Sequence, residues 1–363
     1  MKTLLSFSGR HGPVMLFCGV FLGLLMPRLA EHAKPLMGVA VFIFTLGSFL
    51  KVDRAELRAN LVQPIRLALV LLWVALGVPL VAWALVTWLP LPTGTRTGIL
   101  LCMLAPPVGS AAAMATMLRL NSAMALTTTV IVGLLSTVLL PPAAALVGLV
   151  EMHIDTLQMM GRLALLVMGA GALAGALRRF ANKFVRANPH AMTGVSVVGL
   201  IVVAIGAMHG LRPQLLLHGQ EVVAALALAF AVNVGFQVLG AVLFAKMGRC
   251  DALTVGLLSG NRNVTLVWVA ASPWLMDLPQ VQLYLAASVF PIFMLPLPIA
   301  KLLARWNLNC ESAQVATTLA VPGSPDVTLP IHLTEEAPGL TDQVSQAQEG
   351  APGKVAEQTV MAQ

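Results

Sequence analysis

Near residue 260 an otherwise apolar stretch reads SGNRNVTLVWVAA, with Asn261, Arg262 and Asn263 close to its centre. An arginine at the middle of a membrane span costs from about 2.5 to more than 10 kcal/mol, depending on the reference state. A guanidinium kept in such a place has two uses: it offers fixed positive charge to an anion, or it pairs only with backbone oxygens and holds the chain together. The residues alone leave both open. A second interruption lies in LLCMLAPPVGSAAAMATML, where Pro106 and Pro107 remove two backbone donors. Gly109 and Gly260 loosen the chain beside the two breaks. If both helices break, their second halves begin near Gly109 and Arg262. They then turn N–H groups and positive dipole ends toward a common site, which suits an anion. Gly109, Ser110, Asn261, Arg262 and Asn263 are the candidate substrate contacts. Ser110 reads equally as a local cap. Asn233 and Gln237 are four residues apart and share a helix face, so they serve either as interhelical bridges or as further contacts.

The elements that must position these groups are membrane helices. The hydrophobic fraction is 58% and the charged fraction 10%, with a mean hydropathy of +0.86. Soluble chains carry about 25% charged residues. The apolar runs are too long for barrel strands. They predict an all-α integral membrane protein with ten transmembrane helices near 12–30, 36–50, 65–89, 97–118, 122–149, 160–177, 192–209, 220–245, 252–275 and 280–303. The basic start followed by an apolar run has the outline of a signal peptide, but without a clear cleavage site it is read as a retained first helix.

Fifteen basic residues, among them Lys51, Arg66, Arg178, Arg179, Lys246 and Arg305, fall on one side of this arrangement. Five, namely Arg28, Lys34, Arg96, Arg162 and Arg212, fall on the other. The imbalance puts both termini in the cytoplasm, and the expected location is a bacterial inner membrane, crossed several times. The same imbalance explains the basic body without nucleic acid as a partner. Five spans on each side of Glu151 and Asp155 suggest two inverted repeats, about 10–150 and 157–305, within a transmembrane domain 1–307. The broken helices are then the fourth span of each half, that is the fourth and ninth helices. From 308 to 363 the chain has one basic residue, Lys354, against seven acidic ones, and few aromatics. That composition predicts a disordered acidic cytoplasmic tail.

At these residues the chain resembles the bile acid/sodium symporter family. The resemblance rests on GSFLKVDRAELRANLVQPIRLALVLLWVALGVPLVAW, on the proline-containing break followed by RLNSAMALTTT, and on SGNRNVTL, which is similar to the family's Gly-x-Gln-Asn crossing motif. It implies broken fourth and ninth helices that cross, core and panel domains, and sodium-coupled uptake of an organic anion. Carried over by position, it also implies a largely missing sodium site. The ligating glutamine of the third helix falls on Val74, the Ser-Asn pair of the fourth on Ala111 and Ala112, the glutamate of the ninth on Leu258, and the glutamine of its Gln-Asn pair on Arg262. Thr129 and Asn263 alone match, which adds Thr129 to the candidate contacts.

The residues themselves support the same conclusion. Every acidic residue of the body lies in an expected loop or helix end, and an arginine would repel a sodium ion at short range. Arg262 is therefore expected to replace the cation in a secondary transporter of a small organic anion, working by alternating access and independent of sodium. Sodium-coupled symport is the alternative, and a sensor or channel on a transporter fold a second one. The seven histidines sit at expected helix ends, in loops or in the tail, so no catalytic constellation, metal or cofactor is expected. The cysteine-and-acid pair that arsenite efflux would want lacks its acid, although Cys102 lies near the first break. The four cysteines have no paired spacing.

Overall fold

Proline places many of the helix boundaries. The computed structural model describes residues 12–50, 63–146, 155–181 and 189–305, and in them the chain is helical. The expected tail after 307 and the segment separating the expected halves, 147–154, lie outside the described residues. The first helix, α1 (Gly12–Leu25), stops at Met26, because Pro27 lacks an N–H and disfavours a helical conformation at the residue before it. Pro27 then opens α2 (Pro27–Ala33), which passes through a 3₁₀ turn, Lys34–Leu36, into α3 (Met37–Leu50). The expected boundary between the first two spans therefore moves from about residue 30 to residue 26.

The next apolar run forms α4 (Pro64–Leu72) and α5 (Val78–Trp88), joined by one π turn, Trp73–Gly77. The stretch expected as one broken span is α6 (Thr93–Leu104) and α7 (Ala111–Met117). There follow α8 (Ser122–Leu146), α9 (Thr156–Phe180), α10 (Pro189–Ala207), the short α11 (Leu211–Leu217) and α12 (Gly219–Leu243). The second broken stretch is α13 (Arg249–Gly260) and α14 (Val264–Ala271), and the described chain closes with α15 (Pro279–Met294) and α16 (Pro296–Arg305). Asp155 caps α9, its carboxylate accepting from the N–H groups of Leu157 and Gln158 at 3.0 Å each.

Seven helical stretches among the described residues are long and apolar enough to cross a membrane: Pro27–Leu50, Pro64–Trp88, Ser122–Ala145, Thr156–Phe180, Gly194–Leu217, Gly219–Leu243 and Pro279–Arg305. Their outward residues include Leu72, Leu80, Trp88, Leu165, Val223 and Val238, all exposed. Such surfaces suit lipid and mark a multi-pass membrane protein.

Inside, α3 packs on α9 and α10, α1 packs on α10, and α12 lies against α13 and α15. The α3–α10 contact is close because Gly199 has no side chain: a Cβ there would stand 2.7 Å from the Ala40 carbonyl oxygen. Glu31, Asp155, Glu221, Asp251 and Asp277 are all in short terminal helices, caps, first turns or connections. Cys18 and Cys102 are free, whereas Cys250 is disulfide-bonded, a pairing the cysteine spacing does not reveal.

Candidate functional site: the helix crossing

The two interruptions meet. Pro107 and Arg262 face each other as an antiparallel β-bridge in an otherwise helical region. The Val108 N–H donates to the Asn261 carbonyl at 2.9 Å, and the Asn263 N–H donates to the Pro106 carbonyl at 2.7 Å. In this pairing residues 107 and 262 exchange no bond with each other, so Pro107 loses nothing by lacking an N–H. The prolines act instead on α6. Its Met103 carbonyl would seek N–H groups at positions 106 and 107, both of which are proline.

A second carbonyl is released in the π turn. The Val78 N–H bonds to Trp73, five residues back, rather than to Val74. The next residue is Pro79, which has no N–H to offer. A third belongs to Leu258, in the last turn of α13. Helix ends and defects of this kind leave carbonyls without partners in the helix, and burying such groups unpaired is costly.

The Arg262 guanidinium meets all three. Nη2 donates to the Val74 and Met103 carbonyls at 3.0 Å each, and Nη1 approaches the Leu258 carbonyl at 3.4 Å. Arg262 is 1% exposed, the largest fully buried side chain among the described residues, and its Nε–H has no partner. Three interruptions of the helical chain thus end on one cation.

Asn233, Gln237 and Asn261 gather on the α12 side of the crossing. The Asn233 Nδ2 donates to the Gly260 carbonyl at 2.9 Å and to the Asn261 Oδ1 at 3.2 Å, while the Gln237 Nε2 donates to the Asn233 Oδ1 at 2.5 Å. These amides are engaged within the protein and tie α12 to the end of α13. Trp73 adds to the tie: its indole N–H donates to the Ser259 hydroxyl at 2.9 Å, which donates to the Val255 carbonyl at 2.7 Å.

Gly109, Thr129 and Asn263 gather on the other side, with Pro106 and Pro107, around a cavity of about 40 Å³. It has room for a few water molecules. Thr45, Ser48 and Phe49 from α3 and Val167 from α9 complete much of its wall, which contains no charged side chain. The backbone of Arg262 is adjacent to Asn263 and paired with Pro107, while its guanidinium is turned to the Val74, Met103 and Leu258 carbonyls, none of which lines the cavity.

The expected free N–H groups of the second half-helices are partly occupied. The Ala111 N–H bonds to Val108, that of Val264 to Arg262, and that of Leu266 to Asn263, each through a carbonyl. Asn263 caps α14, its Oδ1 accepting from Leu266 N–H at 3.3 Å. Ser110 precedes α7 without a side-chain capping bond, and its buried hydroxyl has no partner. Among the described residues no group of three histidine, cysteine, aspartate or glutamate side chains is placed to hold a metal ion.

Thr45, Trp73 and Ser259 belong to this site and were not among the sequence candidates. A single threonine, tryptophan or serine in an apolar run carries no pattern of its own. Comparisons with family models and with curated proteins find no match for this chain.

Proposed function

We propose that the chain is a secondary transporter, of the bile acid/sodium symporter type, that moves a small organic anion by alternating access without sodium. The observation that carries this reading is the meeting of two interrupted membrane helices beside a small cavity, the arrangement in which discontinuous helices build a midplane binding site. In this reading the described helices belong to ten spans in two inverted halves, with core and panel domains and both termini on the cytoplasmic side of a bacterial inner membrane. The packing supports inversion: α1 lies on α10 as α9 lies on α3, which is the exchange a two-fold relation between halves would make.

The crossing supports independence from sodium. Backbone carbonyls converging on one point are a common way to coordinate a monovalent cation in a membrane. Here the Val74, Met103 and Leu258 carbonyls converge on Arg262. Val74 and Leu258 are also the positions where the resemblance expects sodium-ligating side chains. An ion within about 4 Å of a guanidinium would be repelled by about 4 kcal/mol at an effective dielectric constant of 20. No carboxylate among the described residues bonds to Arg262, so its positive charge is left uncompensated and favours an anion over a cation near the crossing.

Flux through purified protein in liposomes tests the reading. Saturable uptake from a panel of organic anions, accelerated by unlabelled anion on the opposite side, is expected. Conduction that does not saturate would mean a channel, and binding without flux a sensor; either overturns the carrier.

A further inference from the structure

The cavity beside the crossing has a feature that packing does not explain. In membrane helices a threonine or serine hydroxyl normally donates to a carbonyl one turn back. Ser48, Thr87, Thr116, Thr254 and Ser259 all do so here, over 2.7–3.0 Å. Six buried hydroxyls do not, and Thr45 and Thr129 are two of them. Both line the cavity, one from α3 and one from α8, and the hydroxyl oxygen of each is buried without any hydrogen-bond partner. Thr45 is only 8% exposed. An unpartnered buried hydroxyl destabilises a fold, and each of these has a local carbonyl one turn away that it leaves unused.

We infer that Thr45 and Thr129 form a hydroxyl pair that binds the carboxylate head of the transported anion, joining α3 to α8 when the ligand is present. This rests on the transport reading above and names the group that the site recognises. Threonine in a helix has two accessible χ1 positions, so rotation of about 120° exchanges methyl for hydroxyl at the cavity wall. Two hydroxyls then donate to the carboxylate oxygens, and Arg262 supplies long-range positive charge without direct contact. The rest of the ligand meets an apolar wall that includes Phe49, Leu126, Val130 and Leu266. A monocarboxylate of two or three carbons fits that combination and the small volume of the cavity. The corresponding alcohol lacks both the acceptor pair and the charge.

Thermal unfolding of the full chain in lipid nanodiscs tests the assignment, with acetate and propionate as probes and ethanol and propanol as uncharged controls. Thr45→Val and Thr129→Val remove a hydroxyl at nearly constant shape. Thr137→Val is the control, because its buried hydroxyl is also unpartnered but does not line the cavity. Without ligand, the three variants are expected to melt at or above the wild-type temperature. Propionate is expected to raise the wild-type and Thr137→Val temperatures. Thr45→Val and Thr129→Val should need roughly tenfold more propionate for the same rise, the usual effect of losing one hydrogen bond to a charged group.

Wild-type dose curves in both cavity variants would overturn the hydroxyl pair and leave the transport reading intact. A lower melting temperature in either variant without ligand would also overturn it, by showing a structural role. If propionate stabilises nothing while liposomes still carry other anions, the carboxylate assignment alone falls. If there is neither stabilisation nor flux, the transport reading falls and takes the assignment with it.

Discussion

Replacing Arg262 by glutamine is expected to destabilise the protein by roughly 3 kcal/mol and to weaken anion binding by about tenfold or more. The first effect follows from geometry. The guanidinium satisfies carbonyls of Val74, Met103 and Leu258, which come from three separate stretches of chain. Glutamine is shorter, has two donor hydrogens, and cannot reach all three. Each buried carbonyl left alone costs about 1–3 kcal/mol. Part of that is offset, because removing a buried charge also removes its desolvation cost.

The second effect follows from charge alone, and lysine separates the two. Arg262→Lys keeps the positive charge but replaces a planar fork by a compact ammonium with three donors. It should therefore lose stability much as glutamine does while retaining most of the anion affinity. Thermal unfolding and anion titration of the two variants give the comparison. A glutamine variant that melts with the wild type would show that the guanidinium does not hold the crossing.

Gly260→Ala is expected to be strongly damaging. A Cβ at Gly260 would stand 2.5 Å from the Gln237 Cγ and closer still to the Asn233 carbonyl oxygen, which is backbone and cannot turn away. The helices α12 and α13 must then separate, which strains the 2.9 Å bond from Asn233 to the Gly260 carbonyl. Overpacking costs typically 1–3 kcal/mol, and a disturbed buried amide network adds about 1–3 kcal/mol more. Gly175→Ala in α9 is the control, since nothing lies within 4 Å of its added methyl. It should leave the unfolding temperature unchanged or slightly raised. Equal behaviour of the two variants would mean that the α12–α13 contact is looser than described.

Both interruptions were legible in the sequence because their signals are local: paired prolines at 106 and 107, and a charged, glycine-flanked Asn-Arg-Asn at 261–263. The bond between them was not, since β-bridge pairing depends on how α6 and α13 approach in space. The π turn at Trp73–Gly77 was hidden as well. Trp-Val-Ala-Leu-Gly reads as ordinary apolar helix, and only Pro79 hints that the Val74 carbonyl will lack a partner. Spacing alone did put Asn233 and Gln237 on one face, but not which of their two roles the fold uses. Three-dimensional packing directs their amides into the crossing. Thr129 came from the resemblance, whereas Thr45 needed the structure, because an unpaired hydroxyl is defined by its surroundings and not by its neighbours in sequence.

The central claim is that a fixed guanidinium does permanently what a bound sodium ion would otherwise do. Its most direct test is uptake of an organic anion by the unmodified protein in liposomes, measured in sodium and in choline buffers at matched ionic strength. Arginine stays charged and is held by three backbone carbonyls; on the transport reading proposed above the site then needs no imported cation, and equal rates in the two buffers are expected. A steep, saturable rise of uptake with sodium would contradict the role given to Arg262.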